Sequence, residues 1–421
     1  MSGTTLNPRA GEINPARTVS ELKELRALTG NAQGAQRVAF TDTWLTARDF
    51  LKDKLAELPV RVRTDPAGNL WATLEGERDT ALIIGGHLDS VPNGGWLDGC
   101  LNVLAGLEVL RRIAAQGKPP VTVRLVDWAD EEGARFGRSL FGSSAASGHL
   151  KLEELRHLRD KDGITLPEAL ARVGVDLERA PQAREELRTA GAYLELHIEQ
   201  GPVLEELGLP LGAVLGTVGV ERHTLTFRGQ AAHSGSTPMH RRRDALLAAA
   251  RMAQEIYSIA ARHGGVCTIG SCVTRPGIVT SVVEECSITL DQRHLDADRL
   301  AAMWHEAQEA ARRFAQEGNV EVEFGYLWSI EPIPFHPDLI DACEAAILEA
   351  SGTAHRLPSG PLHDAAEVAR AGVPTVMMFV QSLYGISHNR IEDTLEVHLE
   401  ASVRALDRLA DKTMRWLTRE G

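Results

Sequence analysis

Hydrophobic, strand-like segments alternate with helical segments through the first half of this 421-residue chain. The clearest strands are predicted at 81–85, 121–127 and 193–198, and apolar residues recur at helical spacing over 101–114. This alternation is typical of an α/β layer architecture. We therefore predict a mixed, largely parallel sheet flanked by helices.

The second half of the chain contains a stretch of different character. Its predicted elements follow a βαββαβ-like order, with a strand at 221–229, a helix at 244–261, a strand at 287–293, a helix at 298–317 and a strand at 320–327. This order predicts a small inserted α+β domain. α/β character then returns, with a helix at 339–350, a buried strand at 374–380 and a closing helix at 399–417. The predicted organisation is a flexible arm over 1–16, a main domain formed by 17–213 and 330–421, and an inserted domain over 214–329.

The composition excludes several classes of partner. The chain has 45 Lys and Arg against 58 Asp and Glu, a formal charge of −13, and no long basic cluster, which argues against nucleic acid. No window approaches the eighteen or more apolar residues of a membrane helix, and the first twenty residues lack a signal-peptide core. Five unevenly spaced cysteines favour reduced thiols, so we expect a cytoplasmic location.

Polar residues with metal-binding chemistry follow the predicted strands. His87 and Asp89 share one side of the chain where the first strand ends, because side chains alternate with a period of two. Asp98 follows in a glycine-rich segment, and Glu131 and Glu132 end the next strand. Ligands bind outside the carboxyl ends of strands in open α/β sheets, so these residues lie where a site is expected.

His197 and His388 complete the residue set that a two-metal hydrolase needs. Each candidate also has an ordinary structural explanation when it is taken alone. A His-x-Asp pair at a strand end can be a surface hydrogen-bonded pair, Asp98 a turn residue and the acidic pair a solvated turn. The two histidines can belong to the core. The combination favours the metal site.

Eight motifs occur in an order that identifies a family resemblance. They are His87-Leu88-Asp89-Ser90-Val91, Asn93-Gly94-Gly95, Asp98-Gly99, Glu131-Glu132-Gly133, Leu196-His197-Ile198-Glu199-Gln200-Gly201, His233-Ser234-Gly235, Asp291-Gln292-Arg293-His294 and Gly385-Ile386-Ser387-His388. From about residue 20 onward, the chain resembles the amidase, hydantoinase/carbamoylase branch of the M20 metallopeptidases. That branch includes N-carbamoyl-L-amino acid hydrolases, allantoate amidohydrolases and β-ureidopropionases. The resemblance implies a di-metal exopeptidase-like fold with an inserted dimerisation or lid domain.

The resemblance also implies two divalent metal ions per subunit. One ion would be held by His87, Asp98 and His197, and the other by Asp98, Glu132 and His388. A carboxylate shared between two cations offsets their repulsion. His and carboxylate ligands accept Zn, Mn, Co or Ni, so the sequence does not select one of these metals.

The remaining roles implied by the resemblance concern proton transfer and substrate binding. Glu131 would be the general base, and Asp89 would hold the second ring nitrogen of His87. His233 would act across a homodimer on the developing oxyanion. Arg293 would pair with a substrate carboxylate, and Gln200 would contact the polar end of the substrate.

The expected rim of the substrate site departs from the family pattern. Thr280 stands where an Asn is common, and the segment around Gly360, also expected to contact substrate, has Pro361 where relatives tend to have Ala. Trp96 and Asn102 replace the commoner Asn and Gly near Asp98.

These residues predict a homodimeric two-metal amidohydrolase that acts on N-carbamoyl-L-amino acids or related ureido acids. The alternative enzymatic interpretation is a hydrolase of N-acyl-amino acids or amino acid conjugates with an altered pocket. A third interpretation, from another functional class, is a dimeric binding protein without catalysis.

Overall fold

The computed structural model describes residues 11–420 and divides into two compact units. The first unit ends at Leu215 and resumes at Phe335, and the second unit is Gly216–Pro334. Most of the predicted flexible arm, residues 1–10, lies outside the described residues. Its last part is helical, because the helix Pro15–Thr29 has proline in its first turn and Asn14 as its N-cap.

The first unit is built on the central sheet. Within this unit the strands lie in the order Leu211–Thr217, Thr375–Val380, Ala190–Ile198, Ala81–His87, Thr122–Trp128, Leu70–Leu74 and Arg61–Thr64, and Arg356–Ser359 pairs with Leu211–Thr217. The four middle strands, from Thr375–Val380 to Thr122–Trp128, are mutually parallel, and the flanking pairs are antiparallel. The predicted mixed, largely parallel sheet is therefore confirmed.

The parallel strands owe their hydrophobic sequences to burial on both faces. Every residue of Ala81–His87, Thr122–Trp128 and Thr375–Val380 is buried. Two groups of helices pack around the sheet, one containing Cys100–Ala115 and Glu396–Glu420 and the other containing Phe141–Ser147 and Asp364–Arg370. Strands covered in this way read as continuous apolar segments, as the sequence indicated.

The other helices of the first unit are shorter or peripheral. They are Pro15–Thr29, Asp42–Leu55, Leu152–Leu155, Leu166–Arg172, Val203–Leu207 and Pro337–Ser351, with 3₁₀ turns at Leu177–Leu187 and Leu383–Gly385. A small hairpin pairs Gly30–Asn31 with Gly34–Ala35. All five cysteines are free thiols. Within 11–420, no helix has the length and hydropathy needed to cross a membrane.

The second unit has its own antiparallel sheet and its own apolar core. The sheet order is Val266–Arg275, Glu285–His294, Gly219–Arg228 and Glu321–Ile330. Two helices, Ala245–His263 and Ala297–Glu317, pack on it, and short pieces form at Ala232–His233, Met239–Arg241, Ser281–Val282 and Ile333–Pro334. The predicted βαββαβ-like order is present. Strand Val266–Arg275 was not located from sequence because it is a largely exposed edge strand without clear apolar alternation.

A buried ion pair supports the first unit close to His87. Arg48 Nε donates to Asp127 Oδ2 at 2.7 Å, and both side chains are almost fully buried. The other carboxylate oxygen, Asp127 Oδ1, accepts the backbone N–H of Leu88 at 2.8 Å. Arg48 also lies 3.8 Å from the ring centre of Trp44. Asp127 thus connects the core to the segment that follows His87.

We expect Asp127→Asn to destabilise the protein by about 3–5 kcal/mol, because the guanidinium of Arg48 would remain buried without its counter-charge. Urea unfolding measures this loss. The exposed pair of Lys52 and Asp49 offers a matched control, since Asp49→Asn should cost at most about 1 kcal/mol. Equal effects of the two substitutions would contradict the assigned importance of the buried pair.

Candidate metal centre

The four parallel strands bring the predicted ligands to one edge of the sheet. His87 is the last residue of its strand, and His197 is the penultimate residue of Ala190–Ile198. Glu132 follows the strand that ends at Trp128, and His388 follows the strand that ends at Val380. Because neighbouring parallel strands end on the same side, residues distant along the chain become neighbours there.

Two groups of potential ligands share Asp98. One group contains His87, Asp98 and His197, the other contains Asp98, Glu132 and His388, and the ligand atoms within each group lie within 4.8 Å of one another. Nε2 of His197 lies 3.1 Å from Asp98 Oδ1, whereas Nε2 of His388 lies 3.3 Å from Asp98 Oδ2. Each oxygen of Asp98 therefore faces a different group.

The buried imidazoles direct free lone pairs into this cluster. Nδ1 of His87 lies 3.1 Å from the carbonyl oxygen of Asp89, and Nδ1 of His197 lies 2.8 Å from that of Ile198. We assign the ring proton to Nδ1 in both residues, which leaves Nε2 as an acceptor. Within residues 11–420, neither buried Nε2 has a hydrogen-bond partner. Acceptors that face carboxylate oxygens at such distances require a positive charge between them.

The spacing of these atoms suits divalent cations. Two ligand atoms bound tetrahedrally to one zinc ion lie about 3.3 Å apart, given bond lengths of about 2.0–2.1 Å. The distance from His388 Nε2 to Glu132 Oε2 is 3.2 Å, and that from His87 Nε2 to Asp98 Oδ1 is 3.7 Å. Imidazole and carboxylate ligands are also the donor set used by zinc, manganese, cobalt and nickel. The residues therefore fit a pair of such ions.

Asp89 positions the acidic pair as well as the first histidine. Its two carboxylate oxygens accept the backbone N–H groups of Glu131 and Glu132, each at 3.2 Å. Asp130, just before them, has a left-handed φ of 57° that turns the chain. The Asp89 carboxylate lies 3.6 Å from His87 Nδ1, farther than its own carbonyl oxygen, so the backbone of Asp89 supplies the closer contact.

Glu131 and Glu132 point to different partners. Oε2 of Glu131 lies 3.7 Å from His87 Nε2, whereas Oε2 of Glu132 faces His388. Glu131 belongs to neither ligand group. The two neighbouring carboxylates therefore face different histidines.

Gly99 allows Asp98 to approach His87. A Cβ atom at this position would lie 2.4 Å from Cε1 of the His87 ring, and the backbone φ of 65° is left-handed. Any larger residue would push apart the two segments that carry the first group. The glycine after Asp98 is therefore a steric requirement of the site.

Buried negative charge dominates the electrostatics. Burial, with Asp364 and Glu132 nearby, raises the pKa of Glu131 well above its usual value, and burial beside Asp98 raises the pKa of Glu132 to about 7. The imidazoles of His197 and His388 hold the pKa of Asp98 well below its usual value despite its burial. The contact with Asp98 raises the pKa of His388 to about 9. Opposite pKa shifts on neighbouring groups show that the buried charges of this cluster interact strongly.

The two predicted substrate residues of the first unit differ in their surroundings. Gln200, with a left-handed φ of 57°, donates from Nε2 to Asp98 Oδ2 at 3.0 Å and to Ser387 Oγ at 3.1 Å. Its amide therefore contacts the metal-ligand cluster. Gly360 is exposed, and a Cβ atom there would meet nothing within 4 Å.

The other three predicted substrate residues lie in the second unit. His233 and Thr280 are neighbours there, because Ser234 N–H donates to the carbonyl oxygen of Thr280 at 3.0 Å. Arg293 donates through Nε to Asp291 Oδ1 at 2.8 Å. Arg222 binds the same carboxylate at 2.8 Å, so two guanidinium groups share one acid and a positive charge is left over.

Sequence reasoning missed several polar residues around the cluster. His363 is buried with its ring centre 4.3 Å from that of His197, and burial together with the nearby His197 keeps its pKa well below the usual value. Asp364 and Glu392 are also buried. In the sequence, His363 and Asp364 belong to the segment around Gly360 that departs from the family pattern, and no separate signal marked them as site residues. Glu392 lies in a loop without periodicity, so no sequence signal singled it out.

Comparison with known proteins agrees with this geometry. The model of peptidase family M20/M25/M40 matches residues 83–412. The N-carbamoyl-L-amino acid amidohydrolase of Geobacillus stearothermophilus is 39% identical over 365 residues, covering 85% of this chain and 88% of that protein. The allantoate amidohydrolase of Escherichia coli K12 is 33% identical over 382 residues, covering 89% and 92% respectively.

A solved structure extends the similarity to the fold. The crystal structure of a hydantoinase/carbamoylase family amidase from Burkholderia ambifaria matches with a TM-score of 0.84 at 34% identity, covering 95% of this chain and 98% of that chain. The resemblance inferred from the eight motifs is confirmed. The chain belongs to peptidase family M20/M25/M40, in its hydantoinase/carbamoylase branch, and is a metal-dependent amidohydrolase.

Proposed function

We propose that this protein is a two-metal amidohydrolase that cleaves the C–N bond of N-carbamoyl-L-amino acids or related ureido acids. The observation that carries the proposal is the pair of ligand groups that share Asp98, with buried imidazole lone pairs that have no partner. The relatives that act on N-carbamoyl-L-amino acids and allantoate support this substrate class. We further propose a cytoplasmic location, which the five free thiols support.

The proposed metal ligands are His87, Asp98 and His197 for one ion and Asp98, Glu132 and His388 for the other. When bound, divalent ions polarise a substrate carbonyl and lower the pKa of water. Glu131 would take the proton of the attacking water on Oε2, the oxygen that faces His87. It would then deliver that proton to the leaving nitrogen.

Residues of both units are proposed as substrate contacts, and His233 and Arg293 belong to the second unit. His233 is exposed, and its Nδ1 accepts the N–H of Gly235 at 3.1 Å, which leaves Nε2 to donate to a developing oxyanion. The cationic excess of Arg222 and Arg293 around Asp291 supports binding of a substrate carboxylate. Gln200, Thr280 and Gly360 are proposed as further substrate contacts.

We propose a homodimer in which each subunit lends His233 to its partner. Strand Val266–Arg275 supports this assembly, because in the described part of the chain it is an edge strand with one unpaired side. It also exposes apolar residues, including Val266 and Val273. Tyr257 and Leu247, on the adjacent helix, are exposed as well. An edge of this kind is suited to pairing with a second copy.

A hydrolase of N-acyl-amino acids or amino acid conjugates is the second candidate. Thr280 and Pro361 favour it, because both alter the expected rim of the pocket. Trp96, by contrast, is buried with the Arg26 guanidinium over its ring, so Trp96 favours this candidate less than Thr280 and Pro361 do. A non-catalytic dimeric binding protein is disfavoured, because all five proposed ligands and the proposed base are present.

We expect chelator-treated protein to lose activity and to regain it when Zn, Mn, Co or Ni is restored singly. The restored enzyme should hydrolyse N-carbamoyl-L-amino acids faster than N-acetyl or aryl-acetyl analogues and should discriminate against D-isomers. The rate at which free amino acid is released measures turnover. Faster hydrolysis of acyl substrates would favour the second candidate, and no turnover on any amide with both ions bound would favour the binding protein.

We expect Glu131→Gln to lower kcat by about 10²–10⁴-fold, because an amide cannot accept the proton. The variant should still bind two ions per subunit, since Glu131 lies outside both ligand groups. Turnover and metal content, measured on the same sample, separate the two effects. Undiminished turnover would refute the proposed base.

Mixed subunits test the role of His233 across the dimer. His233→Ala and Glu131→Gln should each be nearly inactive alone. If each site combines Glu131 of one subunit with His233 of the other, reassociation of equal amounts should restore roughly a quarter of wild-type activity. No recovery despite verified subunit exchange would contradict the shared site.

A further inference from the structure

Glu392 is a buried carboxylate that has no role in the proposed mechanism. It lies four residues beyond His388 and is 2% exposed, although Arg390, Ile391 and Asp393 around it are exposed. It belongs to neither ligand group. Burial of an acid in an otherwise exposed segment is costly unless its oxygens are well hydrogen-bonded.

The Glu392 carboxylate joins the segments that carry two metal ligands. Its Oε1 accepts the backbone N–H groups of Leu97 and Asp98, both at 3.1 Å. Its Oε2 accepts a hydrogen bond from Ser387 Oγ at 2.8 Å. Ser387 Oγ in turn lies 3.2 Å from Asp98 Oδ2. The chain around Asp98 is thereby connected to the residue just before His388.

Gly95 provides the space that this carboxylate occupies. A Cβ atom at Gly95 would lie 1.9 Å from both Cδ and Oε1 of Glu392. No rotation of a methyl group relieves such an overlap, so a larger residue at position 95 must displace the carboxylate. The glycine and the glutamate therefore form one steric unit.

His388 needs such support more than the other proposed ligands do. Its side chain is 50% exposed, whereas those of His87 and His197 are each 1% exposed. Its backbone has a left-handed φ of 53°, which is unusual for a residue other than glycine. Ordering a mobile ligand on binding weakens affinity, and fixing it beforehand removes that cost.

We propose that Glu392 is a positioning residue that holds the Asp98 and His388 segments together, so that the Asp98–Glu132–His388 group is preformed for a divalent cation. This inference rests on the proposed function, because it assumes that the group binds an ion. Loss of contacts that orient metal ligands typically lowers metal affinity by about 10–100-fold. The ion held by the Asp98–Glu132–His388 group should be the more affected.

Titration of the chelator-treated full-length chain with Mn²⁺, followed by calorimetry and metal analysis, tests this role. Glu392→Ala should weaken binding of one of two Mn²⁺ ions by about 10–100-fold. Glu392→Gln should recover most of the affinity, because its amide oxygen can still accept both N–H groups and its nitrogen can donate to Ser387 Oγ. Gly95→Ala should reproduce the loss, because it displaces the same carboxylate.

Asp65→Ala is the matched control. Asp65 is also buried and accepts the backbone N–H groups of Ala67 and Asn69 at 2.9 and 3.0 Å, but it contacts no proposed ligand. Its loss should lower the free energy of unfolding without changing Mn²⁺ binding.

Three results would overturn the inference. They are unchanged Mn²⁺ affinity in folded Glu392→Ala or Gly95→Ala, an equal loss in Asp65→Ala, and a loss in Glu392→Gln as large as in Glu392→Ala. If Glu392→Ala does not fold, Gly95→Ala and Glu392→Gln still decide the question. Failure of the proposed amide hydrolysis is separable, because it would leave wild-type Mn²⁺ binding intact while the substrate panel stayed unreactive.

Discussion

Several hydrogen-bond acceptor atoms lie close together at the carboxyl edge of the four parallel strands. Their mutual repulsion is the constraint on which the rest of the site depends. Asp98, Glu131 and Glu132 are largely buried there with the unpartnered Nε2 atoms of His87 and His197. Only protons or cations can make such a cluster stable. Burial raises the pKa of Glu131 and of Glu132, which favours bound protons there. The proposed alternative is a pair of divalent ions held by the same side chains.

Acceptor atoms that repel one another keep their positions only if the backbone that carries each of them is held in place. Side chains that are not themselves proposed ligands accept main-chain N–H groups at or beside four of the five proposed ligands, His388 being the exception within residues 11–420. Asp127 accepts the N–H of Leu88, and Asp89 accepts those of Glu131 and Glu132. Glu392 accepts the N–H groups of Leu97 and Asp98, and Asn102 accepts that of Leu196. Rigid second contacts of this kind set the precision of a metal site.

Asn102 shows how this arrangement explains a departure from the family pattern. Its Oδ1 accepts the N–H of Leu196 at 3.0 Å, one residue before His197. A Cβ atom at Gly86 would lie 2.9 Å from Asn102 Cβ, so the larger side chain fits because the facing strand residue is a glycine. The substitution therefore adds a support for the strand that carries His197.

The parallel strands were predictable from sequence because they depend on local signals, whereas the proposed metal-ligand set came from the family resemblance. Continuous apolar segments mark strands that are buried on both faces, and the residues that follow them are then placed by topology alone. Glu392 and His363 were not predictable, since their contacts join loops that are distant along the chain. Strand Val266–Arg275 was missed because an exposed edge strand has little apolar pattern to detect.

Thr280, a proposed substrate contact, shows how backbone and side chain of one residue can have separate functions. Its carbonyl oxygen accepts the N–H of Ser234, so its backbone supports the segment that carries His233. Its side chain is exposed and plays no part in that hydrogen bond. Replacing an amide side chain by a hydroxyl at this position thus leaves the His233 segment supported and changes only what the side chain can offer a substrate. If Thr280 contacts substrate as proposed, a change of its side chain would alter substrate preference and leave the proposed metal ligands unchanged.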